Sequence, residues 1–165
     1  MMRVLGIDPG TATTGFGLVC ENESGDLKAE AYGTINTPVD LNMPARLKSL
    51  YEQIEQILIL HRPEQGAVEK LFFQRNVTTA LSVGQARGVI LLAFANHDIP
   101  VAEYTPLEVK QATTGYGAAD KKQVQSMIQS LLQLEVPPRP DDAADALAVA
   151  ICHLNSHRLK ELGAS

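Results

Sequence analysis

A chain of 165 residues with 45% apolar and 20% charged side chains has the balance of one globular domain, residues 1–165, long enough to bury a self-sufficient core. No apolar run approaches the roughly 20 residues of a membrane span, and Met1-Met2-Arg3 does not open a secretory signal, so the expectation is a soluble, cytoplasmic protein with no membrane partner. The formal charge of −5 argues against a nucleic-acid partner at first sight, but residues 1–69 carry 5 basic and 10 acidic side chains while residues 70–165 carry 9 and 9.

The first three elements read as strands, Arg3 to Asp8, Thr14 to Glu21 and Leu27 to Thr37, and Asn22 to Asp26 supplies turn chemistry between the last two. Short links make them antiparallel neighbours. From Pro44 to His61 apolar residues recur at three and four, Pro44 suits a first helical turn and Pro63 forbids continuation, which predicts an amphipathic helix. A strand from Gln65 to Lys70, a helix from Val77 to Asn96 and a strand from Ile99 to Tyr104 form a crossover unit with parallel strands. Then come a short helix over Pro106 to Thr113, a glycine loop at Gly115-Tyr116-Gly117, a long helix over Ala119 to Leu134, a stiff proline connector and a last helix over Asp141 to Leu162. The sum is an α/β fold: a five-stranded mixed sheet, three antiparallel strands followed by parallel ones, with helices on both faces.

Four acids stand where such a fold would gather them. Asp8 ends the first strand, Glu69 ends the fourth, and Asp142 and Asp145 lie three apart at the start of the last helix, on one of its faces. With the first strand central, the ends of strands one and four are neighbours. The alanine run Ala143, Ala144, Ala146, Ala148 keeps the last helix slim enough to approach them. Like charges about 4 Å apart repel by about 4 kcal/mol per pair at an effective dielectric of 20, so clustered carboxylates stay ionised only around cations. An all-oxygen set selects Mg²⁺ or Mn²⁺ over zinc, and two such ions can activate a water and stabilise a departing oxygen at a phosphodiester. Taken singly, each acid has an ordinary alternative: a turn former, a solvated strand end, or a helix cap, the role expected of Asp141.

Leu5-Gly6-Ile7-Asp8-Pro9-Gly10 with Thr14-Gly15, Val68-Glu69 followed by Phe72, Gly84-Gln85-Ala86-Arg87-Gly88, Val109-Lys110-Gln111, Lys121 with Gln123-Val124-Gln125, and Asp142-Ala143-Ala144-Asp145-Ala146-Leu147-Ala148 run in this order through nearly the whole chain. In these stretches the sequence resembles the RuvC Holliday junction resolvases of the RNase H-like (retroviral integrase) superfamily. The resemblance implies a homodimeric, Mg²⁺-dependent endodeoxyribonuclease that nicks two strands of a four-way DNA junction symmetrically in recombination and repair, leaving 5′-phosphates, with the branch-migration proteins RuvA and RuvB as partners. It also implies Asp8, Glu69, Asp142 and Asp145 as catalytic acids and ligands of two Mg²⁺ ions, with Mn²⁺ substituting.

For DNA contact the expected residues are Phe72, Phe73, Arg75, Lys110, Lys121 and Lys122. The resemblance implies that Phe72 stacks on bases at the junction centre, and one of the two rings is expected to face inward. Lys110 and Lys121 are implied as cations near the metals, where they would stabilise charge on the scissile phosphate. Arg87 and Arg139 are weaker candidates for phosphate contact. Ala80, Gly84 and Gly88 make a small-residue stripe that predicts close approach of another helix, within the monomer or across a two-fold axis. Cys20 and Cys152 read as buried free thiols, and His153 and His157 as exposed helix residues. Two other readings compete: an ATP-binding module of the actin-like or sugar-kinase kind, whose phosphate loop also follows a first strand, and a related nuclease acting on RNA or flaps. A pI near 5.3 departs from the strongly basic members of the resembled family.

Overall fold

Alternating burial makes the sheet. In β1 (Met2–Asp8) Val4 faces one side and Leu5 and Ile7 the other, all fully buried, as the two-residue period of a strand requires. β2 (Thr13–Glu21) and β3 (Leu27–Asn36) follow antiparallel, then α1 (Met43–His61), β4 (Gln65–Glu69), α2 (Val77–Asn96), β5 (Val101–Tyr104), α3 (Pro106–Thr114), α4 (Lys121–Leu131) and α5 (Asp141–Glu161). The computed structural model describes residues 1–70 and 77–163, so Phe72, Phe73 and Arg75 lie outside the described residues. The strand order is β3-β2-β1-β4-β5, with β1 central, β4 parallel to it, and β5 parallel to β4. This is the mixed five-stranded sheet expected from the sequence.

Local chemistry sets the helix ends. The Asn42 side chain accepts from the Ala45 amide at 3.0 Å, and α1 stops where Arg62 turns left-handed (φ 47°) ahead of Pro63. Thr105 and Glu108 close a capping box at the start of α3. α4 is shorter than the Ala119 to Leu134 expected. Asp120 and Gln123 cap it reciprocally, which excludes Ala119 and Asp120 from the helix, and the chain leaves it at Leu132 before Gln133 takes φ 52°.

Helices cover both faces. On one, α1 and α2 bring Leu50, Ile54, Ile90 and Phe94 against Leu5, Ile7, Leu18 and Val68. On the other, α5 lays Leu147, Ile151 and Leu154 over Val4, Val19 and Ala67, with α4 adding Val124 and Ile128. Each fully buried Leu or Ile contributes about 1.5–3 kcal/mol. One expectation fails on this scaffold: α2, at 20 residues and a mean hydropathy of 1.4, is long and apolar enough to cross a membrane by length and composition. Here its Ala86, Ile90, Ala93 and Phe94 are buried in the sheet face.

His153 also corrects the sequence reading. It is buried, its Nδ1 lies 2.8 Å from the Tyr104 hydroxyl, and its Nε2 meets the Gln65 side-chain oxygen. With Nε2–H directed at Gln65, Nδ1 accepts from Tyr104. Burial, reinforced by His157 and Lys160, lowers its pKa to about 4, so the ring is neutral. Its apolar surroundings on α5 hid this role, because the two partners come from β4 and β5. His157 is half-buried beside Glu161. Cys20 and Cys152 are buried and free, as expected.

α5 runs directly over the strands because they lack side chains there. A Cβ on Gly6 would collide with the Ala146 carbonyl oxygen and come within 2.7 Å of the Ala150 nitrogen; one on Gly15 would strike the Asp142 carbonyl. Gly6→Ala should therefore lower the unfolding free energy in urea by about 1–3 kcal/mol, and an unchanged midpoint and slope would contradict this account of the contact.

Candidate metal centre

The same alternation aims the acids. Val4, Gly6 and Asp8 share the face of β1 that α5 covers, and Ala67 and Glu69 share the matching face of β4. Because Ile7 pairs with Val68 in the parallel register, the next residues, Asp8 and Glu69, end side by side. Asp8 also pairs across β1–β2 with Gly15, the residue pressed against the Asp142 backbone. Thus the contact that seats the first turn of α5 also delivers Asp142 and Asp145 to the strand ends.

Ligand atoms of Asp8, Asp142 and Asp145 all lie within 4.8 Å of one another, and Glu69, outside that set, stands beside Asp8 at the neighbouring strand end. The electrostatic consequence is large. Burial, followed by the charge and hydrogen bond of Glu69 and the charges of Asp145 and Asp142, pushes the Asp8 pKa up to about 9. Asp145 rises to about 6 by burial, with Lys121 opposing the rise and Glu69 and Asp142 adding to it. In the protein alone, then, Asp8 keeps its proton at neutral pH. Oxygen donors that repel one another this strongly, without a thiolate or imidazole among them, fit a hard divalent cation such as Mg²⁺ or Mn²⁺.

A cavity of about 290 Å³ opens beside the acids, and Glu69, Lys110, Lys121, Asp120 and Asp145 line it. Lys110 reaches it from α3, and Lys121 from the first position of α4. Burial disfavours the Lys121 charge, but the hydrogen bond to Asp141 and the charges of Asp145, Asp141 and Asp142 outweigh it and hold the ammonium pKa above its ordinary value. Lys122 turns elsewhere, into a neighbouring cavity with Tyr116, Gln123 and Met127. Arg87 is ion-paired with Glu103 on β5, and its buried Nε has no hydrogen-bond partner among the described residues. It is therefore held on the sheet edge and not presented to a phosphate.

Asp141 departs from its expected role. Pro140 occupies the N-cap of α5, no side chain among the described residues caps that helix, and Asp141 instead is ion-paired with Lys121 Nζ at 3.1 Å and accepts from Gln125 Nε2 at 3.0 Å. Those bonds, from Lys121 first and Gln125 second, lower its pKa. The i, i+4 spacing of Lys121 and Gln125 was the available signal, but their partner lies on another helix and sequence spacing does not reveal it.

A family model described as "Crossover junction endodeoxyribonuclease RuvC" matches residues 4–153. A protein of that description from Syntrophomonas wolfei is 60% identical over 158 residues, 96% of this chain and 91% of that protein. Among solved structures, Thermus thermophilus RuvC in complex with Holliday junction substrate superimposes with a TM-score of 0.92 at 35% identity, covering 99% of this chain and 98% of that one. The yeast mitochondrial Holliday junction resolvase Ydc2 shares the fold, with a TM-score of 0.74 at 14% identity over 99% of this chain and 83% of that one.

Asp8 gives a pH signature in chelator-treated protein. Its folded pKa near 9 exceeds its ordinary 3.8, so the folded state holds the extra proton between these values. The stability linked to that proton is complete below about pH 4 and is lost as pH rises towards 9. Relative to Asp8→Asn, the wild-type melting temperature should fall as pH is raised from about 5 to 8, by about 2–4 °C per kcal/mol of repulsion. Parallel melting profiles for the two proteins would refute the assignment.

Proposed function

Since this chain belongs to the RuvC family of crossover junction endodeoxyribonucleases, we propose that its RNase H-like sheet holds two Mg²⁺ ions on Asp8, Glu69, Asp142 and Asp145 and uses them to nick four-way DNA junctions. The observation that carries this reading is the convergence of Asp8, Asp142 and Asp145 within 4.8 Å, with Glu69 beside Asp8 at the neighbouring strand end. Bound there, the ions supply an activated water on one side of the phosphodiester and charge stabilisation for the departing 3′ oxygen on the other. The products are 5′-phosphate and 3′-hydroxyl ends.

The chain's own residues do the rest. The four acids give up the proton they share when alone and fix the cations against the strand ends. Lys110 and Lys121, at the cavity mouth, meet the non-bridging oxygens of the scissile phosphate as charge builds on them. Lys122, one position beyond Lys121 on α4, contacts the DNA backbone farther along the strand. Phe72, Phe73 and Arg75, which directly follow the Glu69 strand in sequence, engage the bases and backbone at the junction centre. Residues 1–165 act as a single nuclease domain in the cytoplasm, in concert with RuvA and RuvB.

Two-fold DNA calls for a two-fold enzyme. The outer side of α2 supports a homodimer: Val77, Leu81 and Leu92 are exposed, and no described residue lies within 4 Å of the position a Cβ would take at Gly88. Among the described residues the small-residue stripe therefore has no helix against it at Gly88, and a second copy would fill that space.

Asp8→Asn should abolish nicking of a synthetic four-way junction in Mg²⁺ while leaving junction binding within about twofold, as read by a denaturing gel beside a mobility-shift assay. Retained cutting would exclude Asp8 as a ligand. Wild-type nicks should be resealed by DNA ligase, which demands a 5′-phosphate, and flap or RNA/DNA hybrid substrates should be cut more slowly than the junction. Leu81→Glu should convert the protein to a monomer in sedimentation and uncouple the paired nicks, and a persistent dimer would place the interface elsewhere.

A further inference from the structure

We propose that Asp141 and Gln125 are positioning residues that clasp the Lys121 ammonium at the rim of the acid cluster, so that it leaves Asp145 open to a divalent cation. The proposal rests on the metal-nuclease reading above and concerns two residues to which that reading assigns no part.

Lys121 sits where a lysine is not favoured. It is the first residue of α4, at the positive end of the helix dipole, and the reciprocal capping of Asp120 and Gln123 fixes its backbone there. From that position its Nζ lies 3.1 Å from an Asp141 oxygen and 3.9 Å from an Asp145 oxygen. The first is a close ion pair, at hydrogen-bonding distance; the second is a looser one. Gln125, one turn along the same face of α4, donates to the other Asp141 oxygen at 3.0 Å. Both oxygens of one carboxylate are thus engaged from a single helix, which fixes its plane and its distance from the lysine.

Stability does not account for this arrangement. The Lys121 and Asp141 side chains are 54% and 63% exposed, and exposed ion pairs contribute little. Nor does helix capping, since the N-cap is Pro140. Asp141 is also a poor candidate for a ligand, because it is exposed and both its oxygens are already engaged from α4, while the atoms that converge within 4.8 Å belong to Asp8, Asp142 and Asp145. What Asp141 changes is the destination of Lys121. Without it, the nearest remaining carboxylate is Asp145, and an ammonium seated there would compete with the cation for the same oxygens. With it, the positive charge stays within reach of a phosphate bound at the metals but off the ligand.

Mn²⁺ binding to the chelator-treated, full-length protein without DNA, followed by electron paramagnetic resonance of the free ion, tests this without an activity readout. Asp141→Ala should weaken Mn²⁺ binding by about two- to fivefold, in line with an exposed pair. Gln125→Leu, which changes no charge, should shift it in the same direction by less. Combining Asp141→Ala with Lys121→Met should restore wild-type affinity, and Asp141→Glu should retain most of it. The proposal is overturned if Asp141→Ala binds Mn²⁺ as the wild type does. It also fails if the double variant stays as weak as the single one, which would make Asp141 a ligand, or if Gln125→Leu is silent, which would reduce the effect to net charge. Wild-type protein that binds no Mn²⁺ would instead sink the metal reading itself, so the two failures are distinguishable. Melting temperatures measured alongside show that each variant is folded.

Discussion

The whole site depends on backbone-to-backbone contact between α5 and the centre of the sheet. A helix normally stands about 10 Å from a sheet because side chains intervene. At Gly6 and Gly15 there are none on the strands, and the alanines of α5 add little on the other side. Close seating puts the first turn of α5 level with the ends of β1 and β4, so acids far apart in the chain become neighbours. Any side chain added in this contact lifts the helix, and the carboxylates separate together.

Bringing them together has an electrostatic consequence that the rest of the molecule accommodates. Asp8 answers by keeping a proton, and Asp145 moves part of the way in the same direction. Lysines on α3 and α4 face the cluster from across the cavity without filling it. The acidic overall charge, which first argues against DNA, is in part the charge of this cluster, and bound cations would neutralise it. Function therefore depends on where the charges lie, and the sum of them is a poor guide.

Much of this was legible in the sequence. The strand ends at Asp8 and Glu69, the i, i+3 pair Asp142 and Asp145, and the small residues of α5 are local patterns with direct physical meaning, and each element lies within a few residues of where pattern placed it. The misses share a cause. His153 looked exposed because its partners, Gln65 and Tyr104, come from two other strands; Asp141 looked like a cap because Lys121 and Gln125 belong to another helix. Arg87 likewise resembled a phosphate contact until Glu103 arrived from β5. α4 was overextended because apolar periodicity continued past its capping residues. Polar pairing between distant segments leaves no period for a sequence reading to detect.

The neutral His153 ring joins the root of β4, the end of β5 and the middle of α5 through one half-buried relay. The strand that carries Glu69 and the helix that carries Asp145 are consequently braced as one frame, behind the place where the ions would sit. Disturbing that joint would therefore reach two carriers of the carboxylates at once, although the joint touches none of the four acids.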